Sequence, residues 1–408
     1  MNKPKTIWII NQYASTPATG MGGRHFYLAK ELAKQGHQVY LIASSYTHLL
    51  RSPLEITDSY FIEELDGISF VWVKMPQYED AHDKKRVLNW FIFAWRLLKL
   101  PKVIKDKPDV VLASSPAPFV FLGAQRLAKK FHARLVFEVR DIWPLTLIEL
   151  GGYSSKHPFI RLMQWVEDKA YRESDTVLSN LPNAVRHMES RGMKPEKFSW
   201  IPNGFDTEEF SNTEPLSEET LQALPQDKFI VGYTGTLGVA NALENFIDAA
   251  ELLKKNDKIA FVLVGKGKEK KTLQTQVNRL KLKNVTFIDS IRKSQVQSML
   301  EKFDACFIGW KKEAIYRYGI APNKLPEYML SATPIIHAYS GACDFVKEAE
   351  AGISVPAENP QAIAEAILAL KQMSFEEISQ LGQNGRNHAL ENYDYTKLAE
   401  KLSGILLD

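Results

Sequence analysis

Cysteine is close to absent. The 408-residue chain has two, Cys306 and Cys343, which rules out a disulfide framework and gives no metal-ligand spacing. That usage suits a reducing compartment. No Asp-x-Asp pair occurs, so one familiar carboxylate arrangement for a divalent cation is missing. There is no short tandem repeat and no low-complexity tract. Long apolar runs are missing too. The opening stretch TIWIINQY (6–13) is strand-length and lacks the extended apolar core of a signal peptide, so none is expected. What remains is an ordinary soluble composition, 45% hydrophobic and 24% charged, in a chain too long for one core. Two domains are expected.

The net charge is only +3, but it is unevenly placed. Residues 1–200 carry 28 Lys and Arg against 20 Asp and Glu, while residues 201–408 carry 23 against 28. The basic face therefore belongs to the first half. A nucleic acid, a membrane surface or a phosphorylated ligand would each account for it. The nucleic acid is the weakest of the three, because no recognition motif accompanies the basic residues.

Apolar runs of strand length alternate with helical periodicity. Strands are expected at 6–13, 38–45, 68–74, 109–114 and 133–139, and the pattern restarts at 227–235, 259–265, 284–290, 304–310 and 333–339. Each series reads as a parallel sheet covered on both faces by helices. The join is expected at 199–226, where an Asn-Gly turn and polar residues accumulate. In sheets of this kind ligands bind beyond the carboxyl ends of the strands.

The motifs fall at those ends. After the first strand comes TGMGGRHF, with Gly20, Gly22 and Gly23 opening a helix. The spacing is not G-x-G-x-x-G, since residue 25 is His, and the second strand ends in IASS without a ribose carboxylate. A nicotinamide dinucleotide site is therefore poorly supported. Either the loop brings bare backbone N–H groups to an anion, or it is a tight strand–helix turn. The neighbouring His25 and His37 read as helix-surface or turn residues.

The second half repeats the arrangement three times. YTGTLGVAN places Gly235, Thr236 and Gly238 after a strand, and VLVGKGKEKK places Lys266 and Lys268 around Gly267, after Gly265. Lysines at a helix start oppose the helix dipole, which favours an anion nearby; a solvated charge run is the alternative. In RYGIAPNKLPEYML, Pro322 is expected at the first helical position, with Asn323 and Lys324 in the first turn and Glu327 one turn on. A cation for phosphate and a carboxylate for ribose hydroxyls suit a nucleoside diphosphate; an exposed Lys–Glu pair is the plainer reading.

The ordered set GGRHFYLAKELAKQGHQV, FEVRDIWP, IPNGFD, YTGTLG, LVGKGKEKKTL and PNKLPEYMLSATPII resembles the retaining glycosyltransferases of family 4, and within them the bacterial O-antigen and capsule branch with fucosaminyltransferase-like enzymes. The resemblance implies an α/β chain of GT-B fold, two Rossmann-like doubly wound domains facing across a cleft. It implies an acceptor-side domain at 1–200, a nucleotide-sugar domain at 201–387 and a C-terminal helix, 388–408, returning to the first. It further implies transfer of an N-acetylated or deoxy hexose from a UDP-sugar to a polyprenyl-diphosphate-linked saccharide, in surface polysaccharide biosynthesis. Glu327 would bind the ribose, and Gly22 and Gly23 would face the diphosphate. Two family features are missing. The earlier of two glutamates separated by seven residues is Gly319 here, and the basic pair after the first strand of the second domain is replaced by Thr236 and Asn241. Leaving-group charge then falls to Lys324 first, to Lys266 or Lys268 second, with Arg24 as a first-domain candidate. No metal and no other cofactor is expected.

FEVRDIWP (137–144) puts Glu138, Arg140 and Asp141 at a strand end where many relatives have a histidine. Asp141 is placed to accept a hydrogen bond from a substrate hydroxyl and Arg140 to hold a phosphate; the alternative is an Arg–Asp pair supporting the loop. The segment 84–107 has eight Lys and Arg, one Asp, two Trp and two Phe, and its apolar core, 87–100, is shorter than the roughly 20 residues that span a bilayer. It reads either as an interfacial helix on the anionic inner face of a bacterial plasma membrane or as an ordinary domain helix. Two other functions fit the motifs: a nucleotide-sugar epimerase of similar shape, separable by product analysis with donor alone, and a binding module without turnover.

Overall fold

A computed structural model describes residues 3–20, 23–80, 83–116 and 118–407. The chain forms two compact units, Met1–Pro202 with Tyr395–Asp408, and Asn203–Asp394.

The first unit is built on eight strands: β1 (Thr6–Ile10), β2 (Gln38–Ser44), β3 (Tyr60–Leu65), β4 (Ile68–Val73), β5 (Val110–Ser114), β6 (Arg134–Val139), β7 (Thr176–Ser179) and β8 (Phe198–Trp200). Their order is β3-β4-β2-β1-β5-β6-β7-β8. All pair in parallel except the β3–β4 hairpin, which turns through Asp66 and Gly67, both at positive φ. β3, β7 and β8 lie outside the sequence expectation. β3 is a charged edge strand with little burial, and β7 and β8 have four and three residues, too short for a pattern to register.

The second unit has six parallel strands: β9 (Phe229–Thr234), β10 (Ile259–Val264), β11 (Val285–Ile288), β12 (Ala305–Gly309), β13 (Ile335–Ala338) and β14 (Gly352–Val355). The order β11-β10-β9-β12-β13-β14 is the Rossmann order, and the strand direction of travel reverses between β9 and β12. That reversal point is where such sheets bind ligands.

The ends of the chain differ from expectation. The helix Phe375–Asn392 stays with the second unit, because Gly382 packs directly on the Ala332 carbonyl and Gly385 on Ala351. Residues 388–392 are therefore not part of the returning segment, which begins at Tyr395. The Tyr395–Leu407 helix then inserts Leu398, Leu402 and Leu406 into the core of the first unit beside Phe26, Leu32 and Ile201, and Tyr395 stacks on Tyr27 at 5.3 Å. His37, expected at the surface, is buried and bonds Ser403 of this helix through Nε2 at 3.3 Å. Among the described residues no helix is long and apolar enough to cross a membrane.

Because Leu402 is almost fully buried, Leu402→Ala should destabilise the first unit by about 2–5 kcal/mol. Urea unfolding followed by near-ultraviolet dichroism measures this, and a loss under about 0.5 kcal/mol, the range of surface changes, would mean the last helix is not part of that core.

Candidate active site

In the first unit the strand ends carry a buried ion cluster. The Arg24–Lys34 helix starts with two basic residues in its first turn and has no capping side chain. Both residues turn inward onto Glu138, at the end of β6. Arg24 donates from Nε (3.1 Å) and Nη2 (2.8 Å) to Glu138 Oε1, and His25 Nε2 lies 2.8 Å from Oε2. Ser114 Oγ donates to the same Oε2 at 2.6 Å, and Asn11 Nδ2 donates to Ser114 Oγ at 3.0 Å. Arg24 also donates to the Ile201 carbonyl at 2.9 Å and to that of Pro202. Glu138 is 2% exposed. Burial pushes its pKa up, but Arg24 and His25 outweigh that and hold it well below the usual range. Burial lowers the pKa of His25, with Glu138 opposing.

This geometry corrects three sequence expectations. Glu138 faces protein, not a ligand. Arg24 is fully engaged beneath the loop, so it is not placed to receive leaving-group charge. His25, expected at the surface, is part of the core cluster. What joins them is a contact across 113 or more residues, invisible in local pattern.

The glycine loop itself is partly explained by packing. A side chain at Gly20 would collide with Ser15, and one at Gly23 with the Tyr27 ring. Gly22 lies outside the described residues. Arg140 and Asp141 follow Glu138 at the β6 edge and form no ion pair with each other. The Arg140 backbone N–H donates to Ser115 Oγ at 2.8 Å. Asp141 is open to solvent on one side, while protein on the other raises its pKa by desolvation, against the pull of Arg140. It borders a narrow cavity lined by Ser115, Trp143, Glu167 and Tyr171.

The basic segment forms the helix Lys84–Leu97, capped by Asp83, which accepts from the Lys85 N–H at 2.8 Å. One stripe, Trp90, Phe93 and Leu97, is core. The other is exposed: Leu88 by 58%, Phe91 by 39% and Trp95 by 56%. Lys99 sits 4.1 Å above the Trp95 ring. Arg86 instead points inward, donating to Tyr13 Oη at 3.2 Å. The Pro158–Glu173 helix adds two more exposed apolar residues, Leu162 and Trp165.

The second unit gathers its candidate residues around β9. Gly235 has φ +133° and Gly265 φ +144°. The loops after β9 and β10 are zipped together, Gly235 N–H donating to the Val264 carbonyl and Leu237 N–H to that of Lys266, each at 2.9 Å. A Cβ at residue 265 would strike the Gly235 carbonyl, and one at 267 the Leu237 carbonyl. This backbone contact by itself requires glycine at both positions. Lys266 and Lys268 are exposed, ahead of the Lys270–Leu280 helix.

Lys324 is the central side chain. It begins the Lys324–Leu330 helix, with Asn323 at the N-cap and Pro322 just outside, two residues later than the sequence suggests. Its Nζ donates to Tyr233 Oη at 2.7 Å and to Asn241 Oδ1 at 3.1 Å, and lies 4.1 Å from the Tyr233 ring centre. Tyr233 Oη donates onward to the Thr236 carbonyl at 2.7 Å, and Asn241 Nδ2 donates to the same carbonyl at 3.0 Å. The ammonium has no carboxylate bonded to it. Burial pulls its pKa down to about 7, with nearby Glu327 opposing. Glu327 is paired with Lys293. Tyr328 locks the helix to β9, accepting from the Thr234 N–H at 2.7 Å and donating to its carbonyl at 3.0 Å. Tyr233, Asn241, Tyr328 and Lys293 were missed in the sequence. The one available signal was a pair of tyrosines inside the otherwise apolar runs FIVGYT and LPEYML. Among the described residues no three His, Cys, Asp or Glu side chains gather as a metal site would require.

The description "Glycosyltransferase Family 4" matches residues 19–209 and "Glycosyl transferases group 1" residues 218–388. A putative colanic acid biosynthesis glycosyl transferase of Escherichia coli, WcaI, is 25% identical over 319 residues, 76% of this chain and 77% of that protein. Among solved structures, the sucrose-phosphate synthase of Thermosynechococcus elongatus superposes with a TM-score of 0.74 at 17% identity, covering 98% of each chain. Anabaena HepE, solved with UDP and glucose, gives 0.66 at 16% identity, covering 98% of this chain and 99% of that one. These two share the fold. With one glycosyltransferase model on each unit and two Rossmann-like sheets beneath them, the chain belongs to the glycosyltransferases of GT-B fold.

Proposed function

We propose that the chain moves a sugar, an N-acetylated or deoxy hexose, from a UDP-sugar to a hydroxyl of a lipid-linked saccharide, with retention, in bacterial surface polysaccharide biosynthesis. The observation that carries the donor half is the Lys324 ammonium held beside Gly235 at the β9–β12 reversal point without a carboxylate bonded to it. There it meets the diphosphate, with the exposed Gly235–Thr236 backbone approaching the same group. Glu327, which shares the Lys324–Leu330 helix, takes the ribose hydroxyls, exchanging its ion pair with Lys293 for them. Asn323, Lys266 and Lys268 lie within the same strand-end region. On the first unit Arg140 and Asp141 serve the acceptor. In the reaction the bond from the anomeric carbon to the β-phosphate oxygen breaks and one to the acceptor oxygen forms. The hydroxyl proton leaves with the diphosphate or passes to Asp141. Lys324 and backbone N–H groups stabilise the charge building on the leaving group.

The acceptor half rests on the WcaI likeness and on the exposed stripe of Leu88, Phe91 and Trp95 beside Lys84, Lys85 and Lys99. Apolar and basic residues in that arrangement fit an anionic membrane surface, which makes the protein cytoplasmic and peripheral on the inner face of the plasma membrane.

Three measurements test the reading. UDP should raise the melting temperature, because a ligand of the native state alone must do so, and Glu327→Ala should abolish most of that rise; an unchanged rise removes the ribose assignment. Sugar transfer should continue in excess EDTA, whereas loss with rescue by magnesium or manganese would show a metal in the reaction. Wild-type protein should sediment with anionic liposomes at low salt and be released by changing Lys84, Lys85 and Lys99 to Glu. Protein that stays in the supernatant ends the membrane assignment.

A further inference from the structure

Two protein acceptors, Tyr233 Oη and Asn241 Oδ1, lie at hydrogen-bond distance from Lys324 Nζ, matching the two hydrogens of a neutral amine. Both acceptors are fixed from behind, since Tyr233 Oη and Asn241 Nδ2 each donate to the Thr236 carbonyl. Neither can turn away or be replaced by the other. Both are neutral. Lys324 is partly buried, and among the described residues no carboxylate is bonded to its Nζ.

The titratable groups facing Lys324 are few. On β9 there is the Tyr233 hydroxyl, whose pKa burial pushes up, so it stays protonated. The 236–241 loop contributes none. On its own helix there is Glu327, drawn off by Lys293 from across the chain. Glu327 favours the ammonium without being bonded to it, and is itself paired with Lys293.

We propose that a nucleoside diphosphate binds with uptake of one proton at Lys324, and that Tyr233 and Asn241 are the positioning residues that make it so. The inference rests on the donor reading given above. The proton comes from solvent to the Nζ lone pair, and the new N–H then donates to a diphosphate oxygen, completing the third hydrogen bond. The lowered pKa of the unliganded side chain fits this order of events. The sign follows. Above pH 7 the free site is mostly amine and the complex is ammonium, so the complex binds more protons and affinity falls as pH rises, by close to about tenfold per unit. Tyr233 and Asn241 act through Lys324 and need not touch the ligand.

The test is calorimetric titration with UDP, GDP, ADP and dTDP at pH 8.5, where their terminal phosphates are already ionised, in two buffers of different ionisation enthalpy. Wild-type protein should take up about one proton per nucleotide bound. Lys324→Met should bind at least about tenfold more weakly with no proton uptake. Asn241→Asp places a carboxylate on Nζ and keeps the ammonium charged in the free protein; it should fold normally, show no uptake, and lose the pH dependence of affinity between pH 8 and 9. Binding by the wild type without proton uptake overturns the inference, as does uptake that Lys324→Met or Asn241→Asp leaves unchanged. If none of the four nucleotides binds, the donor reading itself fails and takes this inference with it.

Discussion

In the second unit the Gly235 carbonyl occupies the space that any side chain at residue 265 would need. Much of the site depends on that contact. It lets the loops after β9 and β10 pair backbone to backbone, which fixes the Thr236 carbonyl. That carbonyl accepts from Tyr233 and from Asn241, and those two side chains hold Lys324. A residue larger than glycine at 265 would separate the loops and remove the anchor. Its positive φ adds a second reason for glycine. A local steric fact thus sets the position of a charge one strand away.

The first unit solves the opposite problem. A cation at the start of a helix, here Arg24, opposes its dipole, and burying it without a partner would be strongly destabilising. Glu138 answers both, taking Arg24 on one oxygen and His25 and Ser114 on the other. The Arg24 guanidinium also holds the carbonyls of Ile201 and Pro202, at the end of the segment that leaves the unit. One carboxylate therefore ties together the end of β6, the end of β5, the first helix and the exit of the chain. It acts by holding these pieces, which is why its own surface is closed.

The positions of most strands follow from patterns the sequence displays, because a buried parallel strand is an uninterrupted apolar run and each motif sits directly after one. The strand-end segments that hold Gly235, Lys324 and Glu327 could be located for that reason. The failures share a cause. Glu138, Arg24 and His25 acquire their meaning from a contact between residues 24–25 and residue 138, and sequence spacing carries no information about it. The glycines at 265 and 267 were legible as special, but the reason was not: they admit another backbone. The helix Phe375–Asn392 was assigned too short a stay in the second unit because its tie there is a glycine against the Ala332 carbonyl, a contact without an apolar signature. Edge strand β3 was hidden by its charges.

The two units treat buried positive charge differently, and the difference bears on chemistry. In the first, the buried Arg24 meets a carboxylate at hydrogen-bond distance, so its charge is already compensated. In the second, Lys324 is held by neutral groups, at the strand reversal, beside glycine backbone that any ligand can approach closely. A fully compensated cation would have to give up its carboxylate before receiving a phosphate, losing in the exchange much of what it gained. An uncompensated one, already oriented, gives its whole interaction to the charge that develops on a leaving diphosphate. The cost is carried by the unliganded protein, whose ammonium is disfavoured by burial. Where the resembled family carries a basic pair this chain has Thr236 and Asn241, and the neutral Asn241 positions Lys324 instead of adding another cation.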